Sequence, residues 1–390
     1  LLENQLLTFI GKRSYSFYLV HYPVISFVSY FVGLKLNYYE TILTTVIIII
    51  LSLILYEKVE KYFIETSQGL KKKSFTNFIL FLSIILVCIF PLSYFIEKTD
   101  GFLLRDDRAA LEKTVSSIKR EHILCKEEPA KCIEKYPNAR VVIIGDSNAY
   151  HFAVGASKNS PNNSIVPLTR GGCAPFAKFT RIERGSSWNK NCINFNNKVK
   201  ISLSKSFAED KIAVVSAAYI QYLHGDQLYK NYPRSKLTNF RSIILGDLNF
   251  KPLKYNEKIE AMRQNLFSLT YELSSKFKEV IILGPIPPQP YAVRSEPLLQ
   301  FYGHNGISTE LFYKYSEEIL EIFFDIEKLK LTNVKVIYPH KQLCDSFVQN
   351  KCVGFFNKQH YYGDEFHISA VGQYVAYSEL FEYLRTFEWE

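Results

Sequence analysis

The chain has 390 residues and a formal net charge of +9, and it is long enough for more than one domain. Apolar residues are concentrated near the N-terminus, and much of the basic excess lies in one loop of that region. No stripe of basic and aromatic residues follows, so the charge does not indicate a nucleic-acid partner. The chain begins with Leu1 and its single methionine is Met262. We therefore expect a truncated membrane protein.

Three apolar segments are each close to the length of about 20 residues that a membrane-spanning helix needs. They are residues 14–34, 39–56 and 75–95. Lys12 and Arg13 precede the first segment, and a lysine-rich loop separates the second from the third. Since positive loops stay in the cytoplasm, the first and third helices are predicted to run outward, which places the rest of the chain outside. Buried core helices are the alternative, but three in succession are rare in soluble proteins.

Six of the seven cysteines form three local pairs along the chain. The pairs are Cys125 with Cys132, Cys173 with Cys192, and Cys344 with Cys352. An even number of cysteines at short spacing outside a membrane indicates disulfides. A zinc site is the alternative, because His122 precedes Cys125 by three residues and His340 precedes Cys344 by four. However, no Cys-x-x-Cys motif occurs and neither histidine has a second local pair of ligands, so we expect disulfides and no metal.

The outer part of the chain begins with a polar linker at 98–136, in which a helix is predicted at 108–120. Apolar strands then alternate with helical patterns. Strands are predicted at 141–145, 212–218, 279–284 and 334–338, and helices at 257–277, 310–330 and 369–387. This alternation predicts an α/β fold, a parallel sheet with helices on both faces. Functional groups in such folds lie at the C-terminal ends of the strands.

Ser147, Asp364 and His367 have the residue types and the order of a serine nucleophile, its orienting acid and its base. Ser147 follows the strand at 141–145 and opens a helix, whose N-terminal N–H groups could stabilise an oxyanion. Taken alone, Ser147 could simply cap that helix, and His367 could be a surface residue. Together they lie at element boundaries at opposite ends of one domain, with Asp364 one helical turn before His367. This combination predicts a catalytic triad.

The residues around the triad carry a family resemblance. Val-Val-Ile-Ile-Gly-Asp-Ser at 141–147 and Asp-Glu-Phe-His-Ile-Ser at 364–369 resemble the first and last blocks of the SGNH hydrolase/acyltransferase superfamily. Arg-Gly-Gly-Cys-Ala-Pro at 170–175 resembles the second block, in which a glycine N–H helps to form the oxyanion hole. The resemblance implies a flavodoxin-type sheet, and it gives that role to Gly172, or alternatively Gly171, beside the N–H of Ser147.

The third block of the superfamily usually offers an asparagine, whereas this chain has Ser-Ala-Ala-Tyr at 216–219. The departure is typical of SGNH domains fused to membrane acyltransferases of the acyltransferase 3 family. The oxyanion hole would then have two members, or would use Tyr219 or Gln221. A histidine often follows the serine in that branch. Here the residue is Asn148, whose role the resemblance leaves open.

The N-terminal part resembles the same branch. The segment 10–23 resembles the start of the tenth helix of acyltransferase 3 proteins, and 56–61 resembles the motif that closes their last core helix. The third apolar segment resembles the extra helix that moves the fused domain outside. His21 is expected to be an interfacial residue rather than the catalytic histidine of the missing helices.

The resemblance implies three regions, which are truncated acyltransferase 3 helices at 1–97, the linker at 98–136 and an extracytoplasmic SGNH domain at 137–390. It implies a multi-pass protein of the bacterial inner membrane, with the SGNH domain in the periplasm. The expected reaction is O-acyl transfer, with acetyl-CoA as the donor for the complete protein and no bound cofactor. The acceptor would be a surface glycan such as lipopolysaccharide, peptidoglycan or exopolysaccharide.

Partners implied by the resemblance are the membrane, the glycan and the missing N-terminal helices. Two alternatives stay open at this point. A carbohydrate O-acetyl esterase would use the same triad with water as the acceptor. A membrane-anchored glycan-binding module would use no catalysis at all, although the presence of all three triad residues argues against it.

Overall fold

The computed structural model forms two units, Leu1–Glu112 and Lys113–Glu390, and each is considered by itself. The residues that the structure describes are 4–32, 36–61, 64, 83, 91, 94, 123–158, 164–176, 179–182, 186–225, 243–289, 306–357, 359–364 and 366–386. The predicted third membrane segment, apart from three isolated positions, and the predicted helix at 108–120 lie outside these residues.

Two helices make up most of the described part of the first unit. Helix α1 spans Gln5–Val32, and α2 spans Tyr38–Leu55 and continues as a π-helix, Tyr56–Glu60. Asn37 caps α2, because its side chain accepts the N–H of Glu40 while the Glu40 carboxylate accepts the N–H of Asn37. Among the described residues, only the helix Tyr38–Glu60 is long and apolar enough to cross a membrane. The prediction of three membrane-spanning helices is therefore not confirmed.

In the N-terminal unit, the two segments that resemble acyltransferase 3 proteins, 10–23 and 56–61, contact each other. Arg13 of α1 lies 3.2 Å from a carboxylate oxygen of Glu57 and stacks 4.4 Å over the ring of Tyr56. The hydroxyl of Ser16 donates to Glu60 at 2.5 Å. These contacts tie α1 to the π-helix, with a cation–π contribution from the arginine.

The second unit contains eleven strands within the described residues. They are β1 Val141–Gly145, β2 Ile165–Thr169, β3 Phe179–Arg181, β4 Ile212–Ser216, β5 Leu245–Asp247, β6 Glu279–Leu283, β7 Gly306–Ser308, β8 Val334–Ile337, β9 Lys351–Val353, β10 Phe355–Phe356 and β11 Gln359–His360. Five of them form one parallel sheet in the order β2-β1-β4-β6-β8. Counting only these five strands, the order is the flavodoxin-like 2-1-3-4-5. Four were predicted from the sequence, and β2 was not.

The helices of the second unit pack on both faces of this sheet. Those whose bounds lie within the described residues are α3 Pro129–Lys135, α4 Ser147–Lys158, α5 Ser186–Ser202, α6 Lys205–Ala208, α7 Tyr219–His224, α8 Tyr255–Ser274, α9 Thr309–Lys328, α10 His340–Leu343, α11 Ala370–Ala376 and α12 Ser378–Thr386. The predicted closing helix at 369–387 is thus two helices, α11 and α12. The predicted helices at 257–277 and 310–330 correspond to α8 and α9.

Side chains alternate between the two faces of the sheet along each strand, and helices pack against both faces. Val142 and Ile144 of β1 contribute to one core, together with residues of α5, α8 and α9. Val141 and Ile143 contribute to the opposite core, together with residues of α4, α11 and α12. Continuous apolar strands are expected where helices cover both faces of a parallel sheet. The predicted α/β class with a parallel sheet is confirmed.

All three cysteine pairs named from the sequence are disulfide-bonded. The bridges are Cys125–Cys132, Cys173–Cys192 and Cys344–Cys352. The first lies in the predicted linker, whose described part, 123–136, packs Cys125, Cys132 and Tyr136 into the core of the second unit. The residues before 123 in that linker are not among those described.

The C-terminal ends of β1 and β4 meet at the point where the strand order reverses, which is where ligand sites form in such sheets. Gly145 ends β1 with φ +152°. A Cβ there would lie 1.9 Å from the carbonyl oxygen of Ser216 at the end of β4. Only glycine allows this approach, and it places Ser147 at the edge of the sheet.

Candidate active site

Asp146 is a buried residue that fixes the turn between β1 and α4. Its side chain is 0% exposed. Its carboxylate accepts the N–H of Asn148 at 2.8 Å, the N–H of Ala218 at 2.9 Å and the hydroxyl of Tyr222 at 2.7 Å. Burial raises the pKa of Asp146, while these donors act in the opposite direction. Because Ala218 and Tyr222 follow β4, Asp146 joins the ends of two neighbouring strands and holds Ser147 between them.

Ser147, His367 and Asp364 form one continuous chain of hydrogen bonds. The Ser147 hydroxyl lies 2.8 Å from Nε2 of His367, and Nδ1 of His367 lies 2.7 Å from Oδ2 of Asp364. All three side chains are partly exposed. When Nδ1–H donates to the carboxylate, Nε2 is free to accept the proton of the serine hydroxyl. The structure thus brings together the three residues predicted from the sequence, in an arrangement that can activate a serine nucleophile.

A local turn, rather than a helix, holds Asp364. Its Oδ1 accepts the N–H groups of Phe366 and His367, both at 2.9 Å. The expectation that Asp364 and His367 share a helical turn is wrong, because the short carboxylate side chain stabilises a non-helical turn of its own backbone. Partial burial raises the pKa of Asp364, but the hydrogen bonds from His367 and the two N–H groups outweigh it. The pKa is lowered overall, so the carboxylate stays charged beside the imidazole.

The loop that carries the base and its carboxylate partner is hydrogen-bonded at both ends. The hydroxyl of Tyr362 donates to the carbonyl of Pro287 at 2.6 Å. The hydroxyl of Ser369 donates to the carbonyl of His360 at 2.6 Å, and Ser369 also caps α11. Since Pro287 follows β6, the bond from Tyr362 ties the loop to the C-terminal edge of the sheet, and the bond from Ser369 closes the loop on itself.

The glycines after β2 lie on one side of the serine. A Cβ on Gly171 would come within 4.0 Å of Cβ of Ser147, and Gly172 has a φ of +71°, in the left-handed region that favours glycine. The N–H groups of Ser147, Gly171 and Gly172 make no hydrogen bond within the described part of the chain. They are free to face a developing oxyanion. The choice of Gly172 over Gly171 stays a prediction.

The family model that matches residues 107–377 is described as the SGNH domain fused to AT3 domains. The chain belongs to this family. Residues of the chain are also 28% identical over 183 residues to proteins named "Putative O-acetyltransferase" in Staphylococcus aureus strains COL and N315. Each match covers 42% of this chain and 30% of the relative, so the chain spans less than a third of these relatives' length.

A solved structure also matches this SGNH domain. It is the periplasmic domain of a lipopolysaccharide acetyltransferase from Salmonella Paratyphi A, with 15% sequence identity and a TM-score of 0.41. The match covers 63% of this chain and 83% of the other.

The residues expected to replace the missing third-block asparagine line a small pocket that also includes the residue after the serine. Tyr219 and Gln221 line it together with Asn148. Tyr219 is 1% exposed, and its hydroxyl and the amide oxygen of Asn148 have no hydrogen-bond partner among the described residues. Within those residues, neither Tyr219 nor Gln221 hydrogen-bonds to Ser147. Their part in the oxyanion hole stays a prediction.

His151 of the SGNH domain is a site residue that the sequence did not single out. Its ring stacks on that of His367, with the centroids 4.4 Å apart and an interplanar angle of 20°. Burial lowers the pKa of His151 to about 4, and the neighbouring His367 acts in the same direction. One signal in the sequence could have indicated His151, because residues four apart on a helix lie on the same face and His151 is four residues after Ser147. The stacking itself could not be predicted, since His367 lies far away in the sequence.

The cysteines that a zinc site would need are occupied. Cys125 and Cys344 are disulfide-bonded, and His340 packs among the rings of Phe312, Tyr313 and Tyr338. No group of three or more metal-ligating side chains occurs in the part of the chain that the structure describes. His122 lies outside that part.

Proposed function

We propose that this SGNH domain transfers an acyl group, acetyl in the simplest case, to a hydroxyl of a bacterial cell-surface glycan. The observation that carries the proposal is the hydrogen-bonded chain of Ser147, His367 and Asp364 at the edge of the sheet. Support for acetyl comes from the S. aureus relatives, which are named as O-acetyltransferases. Support for a membrane partner comes from the family, whose SGNH domains are fused to AT3 domains.

In the first half-reaction, Oγ of Ser147 attacks the carbonyl carbon of the acyl donor while Nε2 of His367 takes the serine proton. Asp364 stabilises the imidazolium that forms. The N–H groups of Ser147 and Gly172 stabilise the oxyanion. The bond to the leaving group then breaks, and the leaving group departs with the proton from His367. The product is an acyl ester on Ser147.

In the second half-reaction, a glycan hydroxyl attacks the carbonyl carbon of that ester. Nε2 of His367 takes the proton of the hydroxyl, and the tetrahedral intermediate collapses to the O-acylated glycan. The proton returns to Oγ of Ser147, so the enzyme is regenerated.

The complete protein would obtain the acyl group from acetyl-CoA in the cytoplasm through membrane helices that precede this chain. The SGNH domain would then act in the periplasm, on the outer side of the inner membrane. The partners of the chain in this scheme are the membrane, those helices and the glycan.

A carbohydrate O-acetyl esterase would use the same three residues, and the fusion of this family to AT3 membrane domains is what favours transfer. A glycan-binding module would need no base aligned on a serine. The preformed hydrogen bond between Ser147 and His367 at 2.8 Å therefore favours catalysis over simple binding.

The test uses the full chain purified in detergent. A fluorophosphonate probe should label Ser147, and Ser147→Ala and His367→Ala should each abolish the labelling, because the serine hydroxyl needs its base. Ser202→Ala, at the C-terminal end of α5, should label normally. Labelling that survives Ser147→Ala would overturn the assignment. With 4-nitrophenyl acetate as the donor, a transferase should acetylate added surface oligosaccharides, whereas an esterase should release only acetate.

A further inference from the structure

A small pocket is lined by residues that flank Ser147 and His367 in the sequence. Its lining residues follow the C-terminal ends of β1, β4 and β6, and include Asn148, Ala218, Gln221, Ile286, Pro288 and Phe366. Asn148 directly follows Ser147, and Phe366 directly precedes His367. The pocket is thus lined by the sequence neighbours of the nucleophile and of the base, whereas Ser147, His367, Gly171 and Gly172 do not themselves line it.

The side-chain oxygen of Asn148 and the hydroxyl of Tyr219 are both buried in this pocket without a partner among the described residues, and Asn148 is the one that directly follows the nucleophile. The residue is only 6% exposed, and its side-chain oxygen has no hydrogen-bond partner among the described residues. Its backbone N–H is already used by Asp146. A buried amide without a partner costs free energy of folding, so an unpaired one at an active site calls for an explanation. A substrate group that donates to the amide oxygen provides one.

The size and the walls of the pocket limit that group. The space open to the centre of a water-sized group is about 20 Å³, which holds about one such group. Ala218, Ile286 and Phe366 supply apolar walls around the amide. A methyl group would fit but would leave the amide unpaired, and a whole sugar ring would not fit. A single hydroxyl or hydroxymethyl group satisfies both the size and the hydrogen bond.

We propose that this pocket is the acceptor subsite of the transferase and that it binds vicinal diols. One hydroxyl of the acceptor sugar donates to the amide oxygen of Asn148, while its neighbour gives its proton to Nε2 of His367 and attacks the acyl ester on Ser147. The inference rests on the proposed function and adds the acceptor class to it. Asn148 aligns the attacking hydroxyl, so it raises transfer relative to hydrolysis.

The experiment uses the full chain in detergent with 4-nitrophenyl acetate as the donor. It measures how the acetyl group is divided between an added alcohol and water. The burst of 4-nitrophenolate measures acylation of Ser147, and the ratio of acetate ester to free acetate measures use of the acceptor. The acceptors are the cis and trans isomers of cyclohexane-1,2-diol, with cyclohexanol as the matched mono-alcohol. The variants are Asn148→Ala and Asn148→Leu, with Asn333→Ala as the control. Asn333 precedes β8, so its hydrogen bonds lie at the N-terminal ends of the strands, opposite to the site.

In the wild-type chain, the ratio of acetate ester to free acetate, counted per hydroxyl group, should be about fivefold to tenfold higher with at least one diol than with cyclohexanol. This is the difference expected for one hydrogen bond. Asn148→Ala and Asn148→Leu should abolish this preference, and they should lower the ratio of acetate ester to free acetate far more than they lower the burst rate. Asn148→Leu should also raise the melting temperature, because it replaces an unpaired buried amide with an apolar group of similar size. Asn333→Ala should keep the preference.

Three outcomes would overturn the subsite. One is a wild-type chain with a normal burst and no preference for either diol. Another is a preference that survives both Asn148 variants. The third is a burst rate that falls as much as the transfer ratio, because the amide would then serve the acyl carbonyl rather than the acceptor. A wild-type chain that releases 4-nitrophenolate no faster than Ser147→Ala would instead contradict the proposed function, so the two failures are distinguishable.

Discussion

The imidazole rings of His151 and His367 lie face to face, with their centroids 4.4 Å apart. His151 lies four residues after Ser147, so helix α4 carries both Ser147 and the ring that packs against His367. The pKa of His151 is lowered to about 4, by burial first and by His367 second. His151 is therefore neutral at neutral pH, and it adds no second positive charge beside His367 when that residue takes a proton.

This stacking predicts that His151 positions the base. His151→Phe keeps a flat ring against His367 and should retain kcat for 4-nitrophenyl acetate to within about threefold. His151→Ala leaves the imidazole free to rotate and should lower kcat by about 10- to 100-fold, with a smaller change in KM, because small misplacements of a catalytic group are costly. Steady-state kinetics from pH 5 to pH 9 would check this. Equal activity of the two variants would contradict it.

The lowered pKa of His151 also predicts acid sensitivity of the fold. The unfolded chain binds a proton at this residue near its ordinary pKa of 6.5, whereas the folded chain does so only near 4. Since the unfolded state binds more protons between these values, stability falls as pH falls from about 6.5 to 4. We expect His151 to account for about 1–2 kcal/mol of the loss between pH 7 and pH 5.

Urea unfolding of the wild type and of His151→Phe at the two pH values would measure this loss. The variant should lose less stability on acidification. His340, whose pKa burial also lowers to about 4, offers a matched control, since His340→Phe should reduce the acid sensitivity without changing catalysis. An unchanged pH dependence in His151→Phe would show that the ring does not titrate as expected.

Asp364→Asn should separate the geometry of the triad from its charge. The asparagine oxygen can still accept the N–H groups of Phe366 and His367, so the fold should persist. The imidazole loses the carboxylate that fixes its tautomer and stabilises its charge, and kcat should fall by about 10³- to 10⁴-fold. Circular dichroism and kinetics together would test this. A loss of less than tenfold would indicate that the 2.7 Å contact between Asp364 and His367 contributes little to catalysis.

The triad could be predicted from the sequence because each of its parts carries a local signal. Ser147 follows an apolar strand directly, and Asp364 and His367 lie within three residues of each other near the chain end. Strand β2 escaped prediction because Pro167 interrupts its apolar run. A proline lacks the N–H that a central strand needs, but β2 is the edge strand of the sheet, where a proline is tolerated.

The remaining site features depend on tertiary packing that no local pattern encodes. His151 meets His367 only because the loop before α11 returns to α4. Asp146 is a motif residue, but its role follows from Ala218 and Tyr222 after β4. The buried amide of Asn148 is visible only when its surroundings are known. The sequence indicates that these residues lie close to Ser147 along the chain. Only the tertiary structure shows which groups they contact.

The disulfide between Cys173 and Cys192 should matter for catalysis as well as for stability, because Cys173 directly follows Gly172. Replacing both cysteines with serine should cost about 2–4 kcal/mol of stability and lower kcat as the glycine segment loosens. The matched control is the Cys125/Cys132 pair, whose replacement should cost stability while sparing kcat. Equal effects of the two double variants on kcat, measured below the melting temperature of each, would contradict the local role.

The positive-inside pattern predicts on which side of the membrane the SGNH domain lies. In a background with Cys88→Ser, a cysteine at Lys72 should resist a membrane-impermeant maleimide in intact cells, and a cysteine at Asp106 should react. The reason is that the lysine-rich loop is expected in the cytoplasm, whereas position 106 follows the third predicted span. Both cysteines should react after the cells are lysed, which controls for accessibility. Labelling of Lys72→Cys but not Asp106→Cys in intact cells would place the triad in the cytoplasm, where it could not reach a surface glycan.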